Sequence, residues 1–191
     1  MGIEAKEAGL RLNGTSVLRG KFISNNESGL NLKNFVPANA SVVKWFGLNE
    51  TAGEGVNSFD LKAFNELSSG DLCLLDLDLN NQSTDRVLLT TLSDIDLGKQ
   101  NLTSLARALM VQNDTLFRES FMDTEIVFIN QTQLPERFYG TQFSGFEQTY
   151  FTTFNDVLLF GSSIDALKSV LLEYDAENTW GRSIEKRRFI D

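Results

Sequence analysis

The sequence contains no histidine, one cysteine and two prolines, and each scarcity removes something. Without histidine the commonest general base at neutral pH is missing, and neither a Ser-His-Asp nor a Cys-His triad can be assembled from the chain. The lone Cys73 cannot close an internal disulfide, and zinc sites need histidine or several cysteines. Cys73 sits in the strongly apolar run Asp71-Leu-Cys-Leu-Leu, the setting of an inert core thiol rather than a reactive one. Two prolines leave little rigid linker, which favours one domain over two. No apolar run approaches the ~18 residues that cross a bilayer. The opening Met1-Gly-Ile-Glu-Ala-Lys-Glu-Ala has no apolar signal-peptide core, and Lys6 stands where a myristoylation signal has Ser or Thr.

What is present describes a folded domain. The 191 residues are 41% hydrophobic and 23% charged, a globular balance, and a chain of this length hides roughly 70% of its unfolded surface without staples. Seventeen basic against 26 acidic residues give a net charge of −9. That argues against nucleic acid as a partner, since phosphate binding needs a cationic surplus. Asparagine is the anomaly. Eight Asn-x-Ser/Thr triplets occur, at Asn13, Asn26, Asn39, Asn49, Asn81, Asn101, Asn113 and Asn130. They read either as a secreted N-glycoprotein or as turns and caps in which Asn, Ser and Thr crowd together. The second reading is preferred, because secreted glycoproteins of this size usually carry disulfides.

Residues 1–36 read as an N-terminal hairpin and linker segment. Asn13-Gly14 is the hairpin signal and Ser24-Asn-Asn-Glu-Ser-Gly the polar linker. Residues 37–191 read as one α+β domain. Ser41 to Leu48 is β-branched and aromatic, hence a strand. Ser58 can cap a short helix with Leu61, Phe64 and Leu67 on one face, ended by Gly70. Asp71 to Leu79 alternates as a strand, with Cys73, Leu75, Leu77 and Leu79 inward and Asp76 and Asp78 on a solvated face. A second strand covers Arg86 to Thr91, and Leu102, Leu105, Ala106, Leu109 and Met110 make a helical stripe. Phe121 to Ile129 is a strand. Phe146–Phe154 and Val157–Phe160 form a hairpin through Asn155-Asp156. Alternation there places Phe146, Tyr150 and Phe154 together, opposite Phe151. Ser162 with Asp165 starts a helix carrying Ile164, Leu167, Leu171 and Tyr174, and a last helical stretch runs from about Thr179 to Phe189. The fold class is α+β: a mostly antiparallel sheet with amphipathic helices packed on one face.

The catalytic motifs are incomplete. Asp76-Leu-Asp-Leu-Asn80 has the spacing that opens a calcium loop. Asn81 and Val87 stand where that loop needs Gly and a bidentate Glu, and the alternating leucines say strand. Ser183-Ile-Glu-Lys186 has Ser-x-x-Lys spacing without the companion strings of penicillin-recognising enzymes. Gly53-Glu-Gly55 lacks the third glycine and the βαβ frame of a dinucleotide loop. Arg182, Lys186, Arg187 and Arg188 form a basic cluster that offsets a helix dipole or docks something acidic. Phe146, Tyr150, Phe151 and Phe154 are core residues or an aromatic binding surface. No residue is assigned as catalytic, cofactor-binding or metal-ligating, and no cofactor is expected.

Four strings together resemble a known group. Leu10-Arg-Leu-Asn-Gly-Thr, Phe35-Val-Pro-Ala-Asn-Ala-Ser-Val-Val, Asn155-Asp-Val-Leu-Leu-Phe-Gly-Ser-Ser-Ile-Asp-Ala-Leu-Lys and Tyr174-Asp-Ala-Glu-Asn-Thr-Trp are similar to stretches of an uncharacterised bacterial exported, cell-envelope protein family. The resemblance implies an extracytoplasmic location, in the periplasm or cell envelope, and a longer parent protein with an anchor upstream. It carries over no catalytic residue. The expectation is a non-catalytic domain with a structural or protein-binding role, its partner a protein or envelope component. The alternatives are a glycan hydrolase working with carboxylates alone and the secreted N-glycoprotein.

Overall fold

A computed structural model describes residues 2–6, 9–13, 32–47, 56, 59–80, 83–111 and 114–182. At the N-terminus β1 (Gly2–Lys6) and β2 (Gly9–Asn13) pair antiparallel, with Lys6 opposite Gly9. Asn13 therefore ends a strand instead of turning a hairpin.

The other described residues are organised by a seven-stranded sheet. Its strands are β3 (Val42–Gly47), β4 (Ser68–Asn80), β5 (Ser83–Leu92), β6 (Arg118–Phe121), β7 (Thr124–Ile129), β8 (Thr149–Phe154) and β9 (Val157–Gly161), in the order β3-β4-β5-β9-β8-β7-β6. Every neighbouring pair is antiparallel. Among the described residues four α-helices accompany it: α1 (Leu61–Glu66), α2 (Ile95–Ala108), α3 (Leu134–Tyr139) and α4 (Ile164–Asp175). The architecture is α+β on an antiparallel sheet, as the hairpin-length links require.

The helices, expected on one face, occupy both. Leu72, Leu74, Leu88, Leu158 and Phe160 point to the first face, into one cluster with Phe64 of α1, Leu102 and Leu105 of α2, and Phe138 of α3. Cys73, Leu75, Leu77, Val87, Leu89 and Leu159 point to the second face, into another cluster with Ala166, Leu167 and Val170 of α4 and with Leu32, Phe35 and Val36. Sheets buried on both faces carry near-continuous apolar runs, and Leu72-Cys-Leu-Leu and Val87-Leu-Leu are such runs.

Strand parity explains the split. Val87 and Val157 both face the second cluster. Asp94, which caps α2, is seven positions beyond Val87; Ser163, which caps α4, is six beyond Val157. Side chains alternate with period two inside a strand, so Leu92, five beyond Val87 and last in β5, turns to the first face where α2 packs, and Gly161, four beyond Val157 and last in β9, lies on the second, against Leu167 of α4. Each cap is chemically complete. Asp94 Oδ1 accepts from the Leu97 N–H at 2.9 Å, and Ser163 Oγ accepts from the Ala166 N–H at 3.1 Å. The cap lies one residue later than the expected Ser162, whose hydroxyl instead accepts from the Arg86 N–H. Gly161 lets α4 approach: a Cβ there would lie 2.6 Å from Leu167 Cγ.

Other expectations shift locally. Asp60, not Ser58, caps α1 with a bond from the Ala63 N–H; Ser58 lies outside the described residues. Gly70 is inside β4 at φ +93°, next to a register shift, rather than ending the helix. The stretch 121–129 is two strands, because Met122 at φ 52° turns β6 into β7. Thr179 bridges Pro37, and a turn follows it where a helix was expected to start. Residues 183–191 are outside the described part.

Candidate functional site

The sequence candidates separate when placed in space. Cys73 is fully buried, and burial pushes its thiol well above the ordinary value of 9.0. It is a core group. The Asp76–Asn80 string is β4, not a loop. Asp76, expected on a solvated face, is buried, whereas Asp78 is exposed. No group of three or more His, Cys, Asp or Glu converges among the described residues. Ser183, Lys186, Arg187, Arg188 and the Gly53–Gly55 string are outside them. Arg182 lies over the Tyr174 ring at 4.5 Å and pairs with Glu177 at 3.1 Å, which holds the end of the described chain against α4.

The aromatic cluster around the hairpin is divided. Phe151 and Phe146 both join the first-face cluster. Tyr150 and Phe154 flank the second. Phe146 had been expected with Tyr150, but it precedes β8, so strand alternation does not reach it. Its N–H and that of Gly145 both donate to Gln133 Oε1, at 3.0 and 2.8 Å.

Asp76 anchors a polar constellation that motif reading missed. Arg86 lies opposite it in the β4–β5 register, with Nε 3.0 Å from Asp76 Oδ1, a contact too bent for an aligned hydrogen bond. Lys44 of β3 reaches the other carboxylate oxygen at 3.8 Å. Arg86 Nη1 also donates to the Ser144 carbonyl. Its side chain passes over Gly145, φ +93°, where a Cβ would stand 2.7 Å from Nη1. This fixes the loop after α3 to the sheet; the arginine is committed to structure.

The two edges of the sheet differ. β6 has four residues, and two of them are tied down: Arg118 pairs with Glu125, and Glu119 with Lys168 of α4. β3 has six residues, Val42-Val-Lys-Trp-Phe-Gly, with one charge. Only β4 pairs with it among the described residues. Val42 and Trp45 are 40% and 36% exposed, while Phe46 is held edge-on against Phe143, ring centroids 4.9 Å apart. An open strand edge offers a row of backbone donors and acceptors to another strand, and proteins commonly blunt such edges with charge, shortness or cover. β6 is blunted in this way. β3 has Lys44 alone, and that lysine leans toward Asp76.

The chain is thus an α+β protein with a seven-stranded antiparallel sheet between two helical layers. No protein-family model, curated protein or solved structure matches it. Among the described residues no helix is long and apolar enough to cross a membrane.

Proposed function

We propose that this chain is a non-catalytic, protein-binding domain of an extracytoplasmic bacterial envelope protein, and that it takes its partner along the outer edge of β3. The single observation that carries the reading is that edge. It is six residues long, charged once, and flanked by exposed Val42 and Trp45. A partner strand would add main-chain hydrogen bonds, and Trp45 with Val43 on one face would supply side-chain selectivity. Tryptophan is enriched among residues that dominate interface energetics. The envelope location rests on the four strings that resemble the exported family.

The test is recovery of partners from the native envelope by the full-length protein, in parallel with Trp45→Glu and Val42→Lys variants checked for unchanged melting. Wild type should retain an envelope protein that both variants lose. Recovery of cytosolic proteins alone, or the same proteins by all three, overturns the reading.

A further inference from the structure

A second feature lies on the far side of the first helical layer, independent of the β3 edge. A cleft of about 450 Å³ opens between α1 and α2, lined by Phe59, Asp60, Ala63, Asn101, Ser104 and Ala108, with Leu105 beneath. That volume is in the range of small-molecule sites. The alanines on the two helices leave the space. Phe59 is held at its margin by parallel stacking on Phe138, with centroids 5.2 Å apart and an interplanar angle of 6°, and by a tilted contact to Phe64 at 5.4 Å. It therefore presents an aromatic wall already fixed in place. Asp60 is fixed too, because Oδ1 accepts from the Ala63 N–H at 3.0 Å, leaving Oδ2 for another donor. The Asn101 amide and the Ser104 hydroxyl, one turn apart on α2, make no hydrogen bond to another described residue.

The lining selects by chemistry. Among the described lining residues there is no Lys or Arg and one carboxylate, a balance that disfavours an anion. A purely apolar guest would offer nothing to Asp60 Oδ2, the amide and the hydroxyl in exchange for their hydrogen bonds to water, which costs binding energy. A neutral polyhydroxylated ring satisfies all of them. Its C–H face lies against the aromatic wall, while adjacent hydroxyls donate to Asp60 and exchange hydrogen bonds with Asn101 and Ser104, whose groups donate and accept. We propose that the α1–α2 cleft binds a neutral saccharide, a site separate from the protein-binding edge. Asp60, the one carboxylate among the described lining residues, suffices for holding a sugar; glycoside hydrolysis uses a pair.

The experiment uses the full chain and three soluble probes, N,N′-diacetylchitobiose, cellotriose and maltotriose, read by saturation-transfer NMR and titration calorimetry. At least one should bind. Asn101→Ala should weaken it by about fivefold or more, the loss of one paired hydrogen-bonding group. Ala108→Trp replaces an exposed alanine and fills the cleft, so it should abolish the signal without lowering the melting temperature. Phe59→Ala is avoided as the decisive variant because Phe59 also packs on the core. If no probe binds, or if Ala108→Trp binds as wild type does, the proposal fails. Either result leaves recovery of partners at the β3 edge untouched, and loss of those partners leaves saccharide binding untouched.

Discussion

Replacing Arg86 by Met keeps most of the packing volume and removes the charge beneath the loop after α3. The Asp76 side chain is 11% exposed and that of Arg86 26%. Breaking a fully buried pair costs about 3–5 kcal/mol, and an exposed one about 0–1. The bent geometry at 3.0 Å and the remaining Lys44 contact at 3.8 Å put this pair between those limits. Loss of the bond to Ser144 adds about 1 kcal/mol. Arg86→Met should therefore destabilise the protein by about 2–3 kcal/mol. For a chain of this length that lowers the melting temperature by roughly 5–10 °C. Urea unfolding can be followed by the fluorescence of Trp45 and Trp180, the two tryptophans of the chain; Trp45 stands on β3, which pairs with the strand that carries Asp76. Asp76→Leu alone leaves Arg86 with its partial exposure and should cost less. The pair Asp76→Leu with Arg86→Met removes both charges and should recover much of the loss, as apolar replacement of buried pairs commonly does. A cost below about 0.5 kcal/mol for Arg86→Met, or strictly additive double-variant energies, would refute the claim that this constellation holds the loop.

Three further outcomes follow from the packing. The buried Tyr139 hydroxyl has no hydrogen-bond partner among the described residues, so Tyr139→Phe should stabilise by about 1 kcal/mol, seen as a higher urea midpoint; a destabilised variant would show that the hydroxyl is satisfied in solution. Gly161→Ala should cost about 1–3 kcal/mol, since the new methyl meets Leu167 Cγ at 2.6 Å and the Ser163 carbonyl at 2.9 Å. Combined with Leu167→Ala it should cost less than the sum of the two single changes, and plain additivity would contradict the contact. Burial raises the Cys73 thiol in the folded state from its ordinary 9.0. The unfolded chain therefore releases this proton first as pH rises, and stability, fully present below pH 9, falls above it by about 1.4 kcal/mol per pH unit. Tyr150, also raised by burial, adds to the fall above about pH 10. Cys73→Ala should flatten the part between pH 9 and 10, and equal urea midpoints for wild type at pH 8 and pH 10 would defeat the argument.

Features with local causes were legible in the sequence. The hairpin at Asn155-Asp156 forms because Asn155 tolerates φ 51°, and the stripe Leu102, Leu105, Ala106 buries as its period demands. Features with distant causes were not. Asp76 looked solvated because the side chains set against it, Lys44 and Arg86, come from the neighbouring strands, and Arg86 is itself held by the Ser144 carbonyl far along the chain. The helix α3 was missed because six residues beginning Leu-Pro give no periodic stripe, and the β6–β7 turn because Met122 is not a turn residue by composition. The strand β3 could be read from Val42 to Gly47, but its position at the margin depends on pairing order, which no local pattern encodes. The α1–α2 cleft joins Phe59 to Asn101 across two strands of intervening chain, and Asn101 had stood out only as part of an Asn-x-Thr triplet.

The spacing between each central strand and its helix has a consequence for how this protein tolerates change. Adding or deleting one residue inside β5 or β9 would turn Leu92 or Gly161 to the opposite face, away from the helix that packs there. The length of these two strands up to their helices is therefore constrained more tightly than their composition. Growth at the Asn155-Asp156 tip carries no such penalty, since extra residues there leave both strands in step.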